Sequence, residues 1–189
     1  MKDIVERAIK ESEDLKEIFF KENMENILEV GRKIAESIKE KKKILIFGNG
    51  GSAADAQHFA GEMVNKFKRE RAPLPAIALT TDTSVITSIA NDFSFEEVFK
   101  KQVEALGNEG DWVIAISTSG TSPNVLKAIE KAKEMGLKVL FLTGEGGKEF
   151  KKADYVLSVP SKNTPRVQEV HIFILHILCE IIEYSLFNK

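Results

Sequence analysis

Apolar positions recur through the first forty residues at the three-and-four spacing of a helix: Ile4, Ala8, Leu15, Ile18 and Phe19, then Met24, Ile27, Leu28, Val30, Ile34 and Ile38, with charges between them. The pattern predicts two amphipathic helices, over residues 2 to 22 and 24 to 40. Two long helices ahead of the first strand are more than one sheet needs for cover, so one of them is expected to pack on a partner subunit. From Ile44 the pattern changes to short, uninterrupted apolar runs separated by helical stretches. Strands are predicted at Ile44 to Phe47, Pro75 to Leu79, Trp112 to Ile116, Leu137 to Leu142 and Tyr155 to Val159. Continuous apolar runs suit a parallel sheet covered on both faces. Helices are predicted from Ser52, over Val85 to Asn91, Phe95 to Leu106, Ser122 to Met135, Lys148 to Lys152, and from about Arg166 to Phe187, with Gly107 and Gly136 as stop signals and Pro123 as a start signal. Strands alternating with helices give an α/β fold: a doubly wound, mainly parallel five-stranded sheet flanked by helices. A single domain is expected over 1 to 189, divided into the N-terminal helices (1 to 40) and the α/β core (41 to 189).

Composition narrows the function classes. The formal charge of -2, with acidic and basic residues interspersed, gives no support to a nucleic-acid or membrane-surface role. No N-terminal segment has the form of a signal peptide, and no uninterrupted apolar run is long enough to span a bilayer. A lone cysteine, Cys179, forms no internal disulfide. A cytoplasmic protein is expected.

The most informative stretch is KILIFGNGGSAADAQHFAGE, Lys43 to Glu62. A buried strand runs into the turn Gly48-Asn49-Gly50-Gly51 and then, with Ser52 as the expected N-cap, into a helix. Glycines let the backbone approach a ligand, and the leading amides and positive dipole end of the helix point at the same place, so this is an anion site. A second loop of the same kind, Ser117-Thr118-Ser119-Gly120-Thr121-Ser122, follows a buried strand and precedes a helix. Its hydroxyls and amides can surround a phosphate, although loops that begin helices also favour small polar residues for their own sake. In an open α/β sheet such loops bind ligands at the carboxyl ends of the strands, near the switch in strand order.

Three histidines remain to be placed. His58 and Glu62 lie four apart on the helix after the glycine turn, which suits a shared metal ion, an acid-base pair, or a local helix contact. His176 flanks the apolar stripe Ile172, Leu175, Cys179 and Ile182 of the last helix; His171 lies on the opposite flank and is expected to be an ordinary packed residue. Gln168 is on the side of His176, but eight residues at ~1.5 Å rise put them about 12 Å apart on a regular helix. For both to serve one metal, Gln168 must precede the regular helix or the two must come from different subunits. The turn Gly48 to Ala53 also satisfies G-x-G-x-x-A, with Asp82 after the second strand, as in dinucleotide-binding folds.

With these residues in view, the chain resembles the sugar isomerase domain family and, within it, the phosphoheptose isomerases. The resemblance rests on GNGGSAADAQHFAGE (48 to 62), RERAPLPAIAL (69 to 79), AND (90 to 92), AISTSGTSPN (115 to 124) and RVQEVHIFILHILCE (166 to 180). It implies interconversion of sedoheptulose 7-phosphate and D-glycero-D-manno-heptose 7-phosphate, the entry step to heptose for bacterial lipopolysaccharide or other surface polysaccharide. Carried over residue by residue, it implies substrate contacts at Asn49, Gly50, Gly51, Ser52, Glu62, Asn91, Asp92, Ser117, Thr118, Ser119, Ser122 and Gln168. It further implies one zinc ion per subunit on His58, Glu62, Gln168 and His176, and a homotetramer with sites at subunit interfaces. Aldose-ketose exchange through an enediol needs a base at carbon and an acid at oxygen. Glu62 is the expected base and His176 the expected acid. The competing class is a non-catalytic relative that binds the replication initiator; in those proteins the two positions do not form this pair.

Overall fold

The computed structural model describes residues 1–188. Its order is α1 (Lys2–Lys39), β1 (Ile44–Gly48), α2 (Gly51–Val64), β2 (Ala76–Ala78), α3 (Thr83–Asp92), a 3-10 turn (Phe95–Glu97), α4 (Val98–Leu106), β3 (Trp112–Ser117), α5 (Pro123–Glu134), β4 (Lys138–Gly144), a second 3-10 turn (Glu145–Gly147), β5 (Tyr155–Val159) and α6 (Thr164–Phe187). The five strands form one sheet in the order β2-β1-β3-β4-β5, and every pair is parallel. Alternate residues of each strand serve opposite faces. Ile44, Ile46, Ile114, Ile116, Leu140 and Leu142 pack under α1, α2 and α6. Leu45, Phe47, Val113, Ala115, Val139 and Phe141 pack under α4 and α5.

Strand order reverses at β1. Its chain continues to β2 on one side, and β3 lies on the other. The loops leaving β1 and β3 therefore stand side by side, with Gly48 paired to Ile116.

Three expectations need correction. The two N-terminal helices are one, α1, 38 residues long. Asn23, at the expected break, is held in the helix by its side-chain amide donating to the Phe19 carbonyl at 3.0 Å. Neither proline nor glycine stands there to stop it. The first buried side chain of α1 is Leu15, so the N-terminal turns run past the sheet with Ile4, Val5 and Ile9 exposed. Second, α2 starts at Gly51 with Gly50 as its cap, at φ 55, and Ser52 is buried inside the first turn rather than capping it. Third, the helix expected over Lys148 to Lys152 does not form: those residues are turns that follow the 3-10 turn Glu145–Gly147. The backbone there passes close against the β3 loop, where a Cβ at Gly146 would lie 2.3 Å from the Ser119 carbonyl.

α6 is long and apolar enough, by composition, to cross a membrane, with mean hydropathy 1.7 in its most apolar window. Here it is a core helix: Val167, Val170, Ile174, Leu175, Leu178 and Ile182 are buried. Gly31 of α1 lets the two long helices meet, since a Cβ there would lie 2.6 Å from Ile181.

Candidate active site

The two loops at the switch point are locked together by side chains. Asn49 donates to Asn124 Oδ1 at 3.0 Å, and Asn124 donates back to Asn49 Oδ1 at 2.9 Å. This reciprocal amide pair ties the glycine turn after β1 to the first turn of α5. Both helices, α2 and α5, thus aim their leading amides at one region, the arrangement that favours an anion. The pairing of Asn124 with Asn49 was not legible from sequence, because the two lie 75 residues apart.

In the β3 loop the hydroxyls form a chain. Ser117 donates to Ser122 Oγ at 3.0 Å, and Ser119 Oγ accepts from the amide and the hydroxyl of Thr121 at 3.2 and 3.1 Å. Gly120, at φ 73, makes the reversal. The turn after β4 backs this loop at contact distance. A Cβ at Gly144 would lie 2.4 Å from the Thr118 carbonyl, and one at Gly146 would lie 2.3 Å from that of Ser119. His171 anchors the same region from α6. It is fully buried, as expected for a packed residue, with Nε2 3.2 Å from the Thr143 carbonyl, and burial pushes its pKa down to about 4. The neutral ring is the donor in that contact.

Beyond the glycine turn, α2 and α6 bring three of the expected residues together. His58 Nε2 and His176 Nε2 are 2.8 Å apart, and His58 Nε2 is 3.6 Å from Glu62 Oε1. Burial, then the neighbouring His58, holds the His176 imidazole below its ordinary pKa, against the opposing pull of Glu62. Phe67 also packs on His176, ring centroids 5.5 Å apart. Among the described residues no three such side chains stand at ready-made metal spacing. The donor set nevertheless fits zinc: two imidazole nitrogens facing each other at hydrogen-bond distance, beside a carboxylate, need a proton or a cation between their lone pairs.

Gln168 stands apart. α6 is already regular at Thr164, which removes the alternative in which Gln168 precedes the helix. Its amide instead covers the glycine turn, so closely that a Cβ at Gly51 would lie 2.4 Å from Nε2. Within one protomer Gln168 is a neighbour of the anion cradle rather than of His58. Asn91 and Asp92, at the end of α3, are exposed and hydrogen-bonded to each other at 2.8 Å. α3 buries no side chain. Asp82 is occupied as the N-cap of α3, accepting from Val85 N at 3.0 Å, which leaves the dinucleotide reading without its acidic residue.

Sequence reasoning missed Asp55 and the Arg71–Glu183 pair. Asp55 lies one turn before His58 on α2, with Oδ2 buried and unpartnered, and burial raises its pKa to about 6 while His58 pulls the other way.

Residues 9–144 match the sequence profile of the SIS domain. The chain belongs to the SIS domain family. That match covers both anion loops, His58 and Glu62, and stops before α6; longer similarities extend to Gln168 and His176. The phosphoheptose isomerase of Thermodesulfovibrio yellowstonii is 57% identical over 189 residues, spanning 100% of this chain and 94% of that protein. Among solved structures, the phosphoheptose isomerase of Neisseria gonorrhoeae superposes with TM-score 0.89 at 41% identity, covering 96% of this chain and 98% of that one. The Francisella tularensis phosphoheptose isomerase gives TM-score 0.90 at 38% identity, covering 95% and 96%. These full-length matches put the chain among the phosphoheptose isomerases of the SIS domain family.

Proposed function

We propose that this chain is an aldose-ketose isomerase that converts sedoheptulose 7-phosphate to D-glycero-D-manno-heptose 7-phosphate. The observation that carries the reading is the meeting of Glu62, His58 and His176 beside two paired phosphate-type loops. The phosphate sits between the glycine turn and the Ser117–Ser122 loop, and the sugar extends toward α6. Glu62 takes the proton from carbon 1 of the ketose while His176 protonates the carbonyl oxygen on carbon 2, giving the enediol. Glu62 then returns its proton to carbon 2 as the hydroxyl on carbon 1 gives its proton to His176, leaving the aldehyde and restoring both groups.

His58, Glu62 and His176 would hold a zinc ion, with Gln168 of a neighbouring subunit as the fourth group. Bound zinc supplies polarisation of the substrate oxygens and order in the site. Bound to zinc, the Glu62 carboxylate would be a weaker base, and His176 would have only the ring nitrogen not on the metal for the proton it moves. A homotetramer suits the 12 Å problem of Gln168 and His176 and the exposed Ile4, Val5 and Ile9 of α1. By this reading the enzyme works in the cytoplasm and feeds heptose to a surface polysaccharide.

A non-catalytic partner of the replication initiator has no use for an arranged Glu62 and His176, and the close full-length relatives are isomerases by name. The deciding experiment is a heptose phosphate isomerase assay on chelated and zinc-restored protein. Loss on chelation, recovery with zinc, and loss in Glu62→Gln and His176→Gln support the proposal; turnover in either variant sinks the assigned roles.

A further inference from the structure

Glu62 lies in the last turn of α2, which ends at Val64 without a basic residue in its own final turn. The last carbonyls of a helix have no partners within it, and an uncapped end frays. Here the cap comes from outside. Arg71 donates through Nη2 to the Glu62 carbonyl at 2.8 Å and through Nη1 to the Met63 carbonyl at 2.7 Å. Its Nε donates to Glu183 Oε1 at 2.8 Å. Glu183 stands on α6 seven residues after His176, two turns along the same face. The carboxylate also accepts from the amides of Phe67 and Lys68, each at 3.0 Å. Those bonds fix the loop after α2, and with it the Phe67 ring against His176.

Both side chains of the pair are almost fully buried, at 2% and 3% exposed. Burying two charges costs more than apolar packing would, so a pair like this is poor value as plain stabilisation. Burial works to raise the Glu183 pKa, but its two backbone amides and Arg71 hold it below the ordinary value, so the pair stays ionised. What the pair uniquely does is connect three things. It caps the turn carrying Glu62, grips the helix carrying His176, and sets the ring that packs on His176.

We propose that Arg71 and Glu183 are positioning residues for the isomerisation, a buried clamp that sets Glu62 of α2 against His176 of α6. This rests on the assignment of Glu62 and His176 as the reacting pair. Neither clamp residue touches the phosphate loops, so its loss acts on turnover rather than on substrate capture. Lysine at position 71 keeps the charge but lacks the fork that serves two carbonyls and a carboxylate at once.

The test compares Arg71→Lys, Glu183→Gln, Phe67→Leu and Glu62→Gln in steady-state kinetics with sedoheptulose 7-phosphate, with Trp112→Phe as a stability control. Trp112 begins β3, where its indole donates to Ser37 of α1 at 3.0 Å, and it makes no hydrogen bond to either clamp residue. The expected result is a fall in kcat of about 10- to 100-fold in the two clamp variants with KM within about twofold. Trp112→Phe loses thermal stability but keeps its kcat well below its Tm. Wild-type kcat in Arg71→Lys and Glu183→Gln, a loss confined to KM, or an equal kcat loss in Trp112→Phe overturns the clamp. Should Arg71→Lys fail to fold, Glu183→Gln and Phe67→Leu decide, and wild-type kcat in both overturns it. Undiminished turnover in Glu62→Gln refutes the underlying assignment instead.

Discussion

His58 and His176 face each other through their Nε2 atoms at 2.8 Å, although 118 residues separate them. One proton satisfies that contact, and a cation held by both neutral rings, with the two nitrogens drawn further apart, would give each lone pair a charge to point at. A metal that binds the folded protein and not the unfolded chain raises stability by mass action. At a free zinc concentration 100 times its Kd the gain is about 2.7 kcal/mol. For a chain of this size that corresponds to a Tm rise of about 5–10 °C on adding zinc to chelated protein. His58→Ala removes the rise. A zinc-dependent shift that survives in His58→Ala places the metal elsewhere.

Asp55 predicts a pH dependence opposite to that of most carboxylates. Burial of Oδ2 without a partner lifts its pKa from 3.8 to about 6, so the folded state holds the proton longer than the unfolded chain does. Stability is then greatest below the unfolded value and falls as the pH rises from about 4 to 6, where only the unfolded chain has released the proton. Asp55→Asn removes that loss. Because the group still meets solvent, the gain at pH 7.5 is about 1 kcal/mol rather than the full ~3 kcal/mol of the shift. Urea denaturation at pH 4.5 and 7.5 checks it: the advantage of the variant must grow with pH, and a gap that is equal at both values rejects the account.

The parts of this site that sequence reading reached are those written in local spacing. The apolar runs of β1 and β3 and the glycine and serine turns after them lie within a few residues of each other, and the reversal of strand order places the two turns together. The His58–Glu62 spacing is set by one helix, as is the separation of Gln168 from His176. What stayed hidden depends on residues far apart in the chain. Arg71 and Glu183 look like two more surface charges until the turn after α2 folds back on α6. Asn23 falls between the two predicted helices, yet its side chain bonds back one turn and the helix continues. Ser52 looks like a cap because serine favours that place, but Gly50 takes the positive-φ position and pushes serine inside.

The glycines behind the β3 loop make a prediction about substrate capture. A Cβ at Gly146 has nowhere to go, since the atom it meets 2.3 Å away is the Ser119 carbonyl and not a movable side-chain end. Gly146→Ala therefore displaces the hydroxyl loop and raises KM for the phosphorylated sugar by about 10-fold, with a smaller effect on kcat. An exposed helical glycine provides the contrast. A Cβ at Gly61 meets nothing within 4 Å, and Gly61→Ala stabilises α2 by about 0.5–1 kcal/mol through its lower unfolded-state entropy. An unchanged KM in Gly146→Ala means that the β4 turn does not shape the phosphate site.

The Asn49–Asn124 pair predicts a coupling that a double-mutant cycle can read directly. Each amide donates to the other's oxygen, so removing one side leaves the buried Asn124, or its partner, with an unsatisfied polar group. Each single change to alanine costs about 1–3 kcal/mol of stability, because the surviving amide is stranded. The second change then costs less, since the contact between the two is already lost and what remains is the bond that Asn124 Oδ1 accepts from Val125 N at 3.0 Å. The coupling energy is expected at about 1–2 kcal/mol, with each single variant also raising KM as the glycine turn and the start of α5 separate. Additive losses in urea denaturation dissolve the idea that the two loops are held as one unit. In that case the phosphate cradle owes its shape to the sheet register of Gly48 and Ile116 alone.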